Sequence, residues 1–405
     1  MLWWGLTPGF MPTTKLHWIN QWGKAKHFQK KMLHIWPTLP IVISDLADAT
    51  SLERGADNIS AALEHRDRVT RISLWSVPNF LFGRFTATMA EPFHELTSMA
   101  LRSIDESALV LPSSFLGGSA PSLQSIYLNN VIAFPAVRRL LLSLVNLVHL
   151  YIWDNPLSSY ISPVEMASCL AAMTRLESLH LGFRSPRSPS GTGRSGRRPP
   201  LTRIVLPSLI RLEFHGASEY LEDMVARIDA PFVRIVRLKF FNQLIFNISQ
   251  LPHFVDHANH FKTLNHAHVV FSRHSVEARL SSQPGTVDRA ILAMGVSCGV
   301  SDWQLSSLAQ VCGSLPACLS TVENLDICED RHSRPHWQDD IESAQWIEPF
   351  HLFASVKNMS ISEGVAPRVA PPLAELTGEK VTEVLPALQN IFVEGLRSMG
   401  RIKKL

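Results

Sequence analysis

The chain has 405 residues, 46% of them hydrophobic and 18% charged, enough apolar content for a large core and too little charge for wholesale disorder. A formal net charge of +3 excludes the strong basic excess of a nucleic-acid binder. Five cysteines argue against a disulfide framework, and residues 131–153, the longest apolar candidate for the ~18-residue run of a membrane span, are broken by Arg138-Arg139, so a reducing compartment, cytoplasm or nucleus, is expected.

Residues 1–35 hold Lys15, Lys24, Lys26, Lys30 and Lys31 with no acidic residue, beside Trp3, Trp4, Trp18 and Trp22. Their apolar positions keep no clean helical period and arginine is absent. A poorly ordered basic and aromatic segment is expected there, in preference to a targeting or membrane-surface helix.

Within residues 36–396 one pattern recurs, with apolar side chains at positions 1, 4 and 6. It begins with Val69-x-x-Ile72-x-Leu74 and Leu96-x-x-Met99-x-Leu101. The clearest copies follow: Leu123-x-x-Ile126-x-Leu128, Leu147-x-x-Leu150-x-Ile152, Leu176-x-x-Leu179-x-Leu181 and Leu209-x-x-Leu212-x-Phe214. Val233-x-x-Val236-x-Leu238 comes next, then the weaker Leu264-x-x-Ala267-x-Val269 and Ile291-x-x-Met294-x-Val296. Val322-x-x-Leu325-x-Ile327, Val356-x-x-Met359-x-Ile361 and Leu388-x-x-Ile391-x-Val393 complete the series. This is the strand signature of leucine-rich repeats, whose period is ~20–29 residues. Positions 4 and 6 share one face of a short strand and point into the core, whereas 3, 5 and 7 point outward. The expected fold is therefore an α/β leucine-rich-repeat solenoid, a horseshoe with a parallel concave sheet and irregular helices and turns on the convex side. A doubly wound sheet also alternates strands and helices, but the signatures here outnumber the ~5–6 strands of a typical sheet. The asparagine usual at position 9 occurs only as Asn155, so the customary asparagine ladder is not expected.

The segments between strands read as helices. Ser162 with Pro163 and Glu165 forms a capping box ahead of Met166, Leu170 and Met173. Ser218 opens a second helix, ended by Asp229-Ala-Pro231; a third runs through 340–347, and 371–376 begins a fourth. Residues 184–200, with five arginines among Gly, Pro and Ser, read as a disordered loop. A localisation or phosphorylation signal at Ser185 or Ser188, each followed by Pro, is the functional alternative for that loop. Residues 397–405 read as a tail.

If the register holds, the outward positions define the working surface. Its candidate partner-binding residues are Trp75, Tyr127, His149, Tyr151, Trp153, His180, Arg211, His215, Arg237, Lys239, His266 and His268. Trp, Tyr and Arg are the types enriched at binding hot spots. The aromatic and basic character suggests a protein partner with an acidic or phosphorylated segment lying along repeats four to eight.

No catalytic, cofactor or metal site is expected, and neither nucleic acid nor a membrane as partner. Gly191-Thr-Gly-Arg-Ser-Gly196 lacks the Lys and Ser/Thr of a phosphate-binding loop. Cys312, Cys318, Cys328, His332 and His336 lack the close Cys pair of a zinc knuckle. His253, His257 and His260 are spaced like one helical face and read as a solvated or partly buried face in preference to a ligand set. A hydrolase or nucleotide-binding α/β enzyme is the alternative of another class, and no complete motif supports it.

Several phrases carry a family resemblance: Trp36-Pro-Thr-Leu-Pro-Ile-Val-Ile43, Leu63-Glu-His-Arg-Asp-Arg-Val69, Phe115-Leu-Gly-Gly-Ser-Ala-Pro-Ser-Leu123, Ser218-Glu-Tyr-Leu-Glu-Asp223, Phe240-Phe-Asn-Gln-Leu-Ile-Phe246 and Glu342-Ser-Ala-Gln-Trp346. Over residues 36–396 the chain resembles the leucine-rich-repeat region of basidiomycete fungal F-box-like proteins. The resemblance implies a substrate-recognition subunit of a cullin-type (SCF) ubiquitin ligase, with the ligase adaptor as a partner. Nothing in residues 1–35 resembles the F-box itself, which leaves two readings open: a receptor whose F-box is missing from the gene model, or a repeat-only structural or regulatory adaptor.

Overall fold

The computed structural model describes residues 16–19, 38–44, 49–105, 109–132, 136–156, 160–184, 203–241, 246, 248–283, 291–298, 302–335, 337, 343–375 and 383–393. The expected loop beyond Arg184, the 397–405 tail and most of residues 1–35 lie outside these. The chain divides into two compact units, residues 1–161 and 162–405.

The first unit contains strands β1 (Leu16–Ile19), β2 (Ile41–Ser44), β3 (Val69–Val77), β4 (Ser98–Ser103), β5 (Leu109–Val110), β6 (Ser125–Asn129), β7 (Val131–Ile132) and β8 (His149–Asn155). Helices α1 (Ala49–Leu63), α2 (Asn79–Thr88) and α3 (Ala136–Ser143) alternate with them. The principal strands lie in the order β1-β2-β3-β4-β6-β8, each parallel to the next. The short strands β5 and β7 make a second parallel pair. β1 extends the sheet into the lysine- and tryptophan-rich segment, Leu16 lying opposite Ile41.

The second unit contains α4 (Pro163–Leu170), β9 (Ser178–Phe183), β10 (Ile204–Val205), β11 (Arg211–Gly216), α5 (Ser218–Val225), β12 (Ile228–Asp229) and β13 (Ile235–Phe241). After these come α6 (Gln250–Asp256), β14 (His266–Ser272), β15 (Ser275–Ser281), β16 (Leu292–Ser297), α7 (Asp302–Gly313), α8 (Pro316–Leu319) and β17 (Asn324–Glu329). α9 (Ser343–Phe350), β18 (Asn358–Ile361), α10 (Ala366–Glu375) and β19 (Asn390–Val393) complete it. Its main sheet has the order β9-β11-β13-β16-β15-β14-β17-β18-β19.

Side chains at positions 1, 4 and 6 account for the repeat. From Val69 through Val356 every one of them is buried, except Ile291. Each fully buried Leu or Ile contributes about 1.5–3 kcal/mol relative to an exposed one. The backbone repeats as well. The position-2 carbonyl of one repeat accepts the N–H groups of positions 2 and 3 of the next, as Thr97 does from Gln124 and Ser125, Glu177 from Ile210 and Arg211, and Glu323 from Lys357 and Asn358. The position-1 N–H closes a turn onto the carbonyl three residues earlier, Leu123 onto Ala120 and Val356 onto Phe353. The architecture is thus the α/β leucine-rich-repeat one, with largely parallel strands and helices returning between them.

One part of the register departs from expectation. By its signature Ile291 is expected to open a ninth repeat that follows the eighth in space. Instead β14 turns back through Arg273-His274 into β15, which is antiparallel to β14 and to β16. β16 therefore sits beside β13, and β14 pairs in parallel with β17. The reversal has a local cause. Val276, Ala278 and Leu280 are buried and alternate with half-buried Ser275, Glu277, Arg279 and Ser281, the period of two that a strand requires. Ser272 and Ser275 face each other across the turn, and the Ser272 hydroxyl donates to the Ser275 carbonyl at 2.9 Å. The Ile291 N–H goes to the Leu280 carbonyl instead of closing an entry turn.

The helices follow their expected positions with shifted ends. The Ser162–Glu165 capping box is formed: Ser162 Oγ accepts from the Glu165 N–H at 3.2 Å and Glu165 Oε2 from the Ser162 N–H at 3.3 Å. α5 stops at Val225 because Ile228–Asp229 are drawn into a parallel pair with Ile204–Val205. Glu222 on α5 then accepts from the N–H groups of Gln250, at 2.6 Å, and Leu251, at 2.9 Å, so one helix caps the start of the next. α10 begins at Ala366, five residues before the expected start, and carries Pro371 and Pro372 inside it.

Candidate partner-binding face

In the first unit, strand register brings the outward position-5 side chains Ser73, Ala100, Tyr127 and Tyr151 into one row. Tyr127 and Tyr151 stack with centroids 4.1 Å apart and planes 15° from parallel. Trp153, opposite Asn129, lies 5.8 Å from Tyr151. Trp75 lies 4.7 Å from Tyr127 although β4 runs between their strands, which places the two backbones about 9.6 Å apart. The small side chain of Ala100 leaves that space. Trp75 Nε1 donates to Ser73 Oγ at 2.7 Å, and Asn129 Nδ2 donates to the Tyr127 hydroxyl at 3.3 Å. All four rings are half-buried, so each keeps part of its surface in solvent. His149, also exposed, opens β8 opposite Ser125 and stands at the margin of this row.

In the second unit the position-5 row holds His180, Glu213 and Arg237 as consecutive register partners. His180 Nδ1 lies 3.1 Å from Glu213 Oε2, while Arg211 and Arg237 lie 3.7 and 3.5 Å from Oε1. Burial pushes the Glu213 carboxyl upward, but the hydrogen bond and charge of His180 and the two guanidinium charges outweigh it and hold its pKa below the ordinary value. Burial lowers the pKa of Arg211, Arg237 adding to the effect and Glu213 opposing it. Glu213, absent from the candidate residues, thus organises three of them. Aligning position 5 of adjacent repeats, which puts an acid between a histidine and an arginine, was the signal available for it.

His215 packs against Phe241, ring centroids 4.9 Å apart, and Lys239 is exposed opposite it. His266 and His268 do not continue this surface. The intervening β16 and β15 put them three strands from Lys239. They belong to a different neighbourhood, where Asn324, Asn358 and Asn390 occupy position 3 of successive repeats. Asn358 Nδ2 donates to Asn324 Oδ1, and Asn390 Nδ2 to Asn358 Oδ1, each at 2.9 Å. Asn324 Nδ2 is 3.5 Å from His266 Nε2. An asparagine ladder therefore exists, but on the outward face instead of at position 9. In the first unit a single asparagine one place earlier, the buried Asn130, donates to the Asp105 carbonyl at 2.7 Å.

Of the cysteines, Cys312 and Cys318 are buried, their thiols pushed up to about 12 and about 11 by desolvation, with Asp256 adding to the second. Among the described residues no helix is long and apolar enough to cross a membrane.

No family model and no curated protein matches the chain. Among solved structures it is similar to the leucine-rich repeat-containing protein LegL7 from Legionella pneumophila, at 15% identity over 76% of this chain and 86% of that one, with a TM-score of 0.32. At that score the likeness adds nothing to the repeat assignment, which rests on strand register and burial.

Proposed function

We propose that the chain is a non-enzymatic repeat module that binds another protein through the outward face of its sheet. The observation that carries this reading is the cluster of Trp75, Tyr127, Tyr151 and Trp153, which stay half-exposed although Tyr127 and Tyr151 stack and each tryptophan packs at a tilt against a neighbouring tyrosine. Rigid aromatic side chains lose little entropy on binding, and their large faces suit hot spots. An acidic or phosphorylated segment is the partner chemistry that His180, Arg211, Arg237 and Lys239 would take in the second unit. Glu213 neutralises part of that charge, so aromatic contact is assigned the larger share of affinity. Replacing Tyr151, Trp153 and Arg211 together with alanine is expected to remove specific partners in affinity capture while leaving the far-ultraviolet circular dichroism unchanged. Recovery of every wild-type partner by the folded triple variant would overturn the reading.

The role of substrate receptor in a cullin-type ubiquitin ligase rests on the sequence resemblance alone. Co-purification of the ligase adaptor with the protein would support it, and its absence from every preparation would overturn it. A repeat module that captures its partner without the adaptor is the regulatory or structural adaptor instead.

A further inference from the structure

At the strand ends of β14, β17 and β18 the second unit has a polar cavity of about 750 Å³, with His268, Asp326, Cys328, Glu329, Arg331 and Ser360 in its lining. Cys328 occupies an outward position of β17, opposite Val270 of β14. His268, two residues earlier on β14, is its diagonal neighbour, close enough for a long side chain to reach. Cys328 Sγ and His268 Nε2 lie 3.2 Å apart. The other four cysteines, Cys169, Cys298, Cys312 and Cys318, are at most 4% exposed, whereas Cys328 is half-buried and opens on the cavity.

A thiol reacts as its thiolate, and an imidazole within hydrogen-bond reach both accepts the proton and stabilises the anion left behind. We propose that Cys328 and His268 form an activated-thiol modification site, at which a small soft electrophile entering this cavity is captured covalently. With an alkyl halide the bond formed is sulfur to carbon and the bond broken is carbon to halogen. Halide leaves with its electron pair, and the thiol proton passes to His268 Nε2 and then to solvent.

The charged groups around the pair are mixed. Asp326 is the register partner of His268 on β17, and Arg279, held by Glu277 at 2.8 Å, is its partner on β15. Glu329, Arg331, Arg334 and Glu363 also line the cavity. The Glu329 carboxylate lies against the backbone of Gly364, 2.5 Å from where a Cβ would stand. No excess of either sign excludes an uncharged electrophile.

Iodoacetamide is the probe, with the full chain alkylated over a pH series and each cysteine-containing peptide quantified by mass spectrometry. Cys328 is expected to react at least about ten-fold faster than the four buried thiols, and to keep its rate about one pH unit or more further into acid than a free thiol does. In His268→Gln this extension is lost, so the rate near neutrality falls about ten-fold and converges with wild type in alkali, where every accessible thiol is ionised. Cys328→Ser removes the fast phase. An ordinary thiol titration at Cys328 in the wild type overturns the proposal, as does an identical pH profile in folded His268→Gln. Should that variant fail to fold, the wild-type profile alone decides.

Discussion

Glu213 shows how much a single charge does on this surface. Its folded pKa lies below the unfolded value, so the native state binds that proton more weakly than the unfolded chain does. The stability it contributes is complete above the unfolded value and disappears as pH falls through the folded one. Glu213→Gln is expected to cost about 1 kcal/mol at neutral pH, below the ~1.5–3 kcal/mol of a charged hydrogen bond because the cluster is partly solvated. Urea titrations should show the gap between variant and wild type closing in acid, where both side chains are uncharged. A constant gap would mean that lost packing, not charge, is responsible. The sequence placed Arg211, His180 and Arg237 on the outward face. It did not show their mutual engagement, because that depends on which repeats are neighbours and not on what each repeat contains. The same holds for Cys328 and His268, sixty residues apart in sequence.

At the scale of elements, the 1, 4, 6 pattern made the strands legible because burial imposes it so strictly. Where strands are read correctly, helix starts follow from capping chemistry, as at Ser162. Two things escaped this reading. β15 lacks a leucine-rich signature altogether and announces itself only by Val276, Ala278 and Leu280 alternating with polar residues. Glu222 is unremarkable within its own helix, since its partners belong to the next one. Glu222→Ala leaves the first turn of α6 without an acceptor for two N–H groups and is expected to destabilise the second unit by about 1 kcal/mol. Glu222→Gln should recover part of this loss through its remaining side-chain oxygen. Equal melting temperatures for wild type and Glu222→Ala would show that water substitutes for the cap.

On the scale of the whole molecule, stability in a repeat protein is approximately a sum over neighbouring contacts, so it need not be uniform. Strand β17 is flanked on both sides, by β14 and β18, and its inward residues are buried. β19 pairs with β18, and its Ile391 and Val393 are only half-buried at the positions that are buried in the earlier repeats. Hydrogen exchange followed by mass spectrometry is expected to show the amides of β19 exchanging well before those of β17. Simultaneous exchange of the two strands would indicate one cooperative unit instead of a graded array.

The reversal at β14 and β15 also sets a constraint on the order of assembly. Elsewhere a repeat can be laid onto its predecessor as soon as some 24–34 residues have followed it. Here Thr321 Oγ1 donates to the Leu264 carbonyl across 57 positions, and β14 meets β17 only after the intervening hairpin, β16 and helices have been made. Loop-closure entropy grows slowly with length, about 0.6 kcal/mol per doubling, so the longer connection costs little at equilibrium. Its effect falls on timing instead, because non-local pairings form late. Until Asn324–Glu329 is free to pair, β14 has one edge open, and that exposed edge lasts longer than at any repeat laid directly on its predecessor.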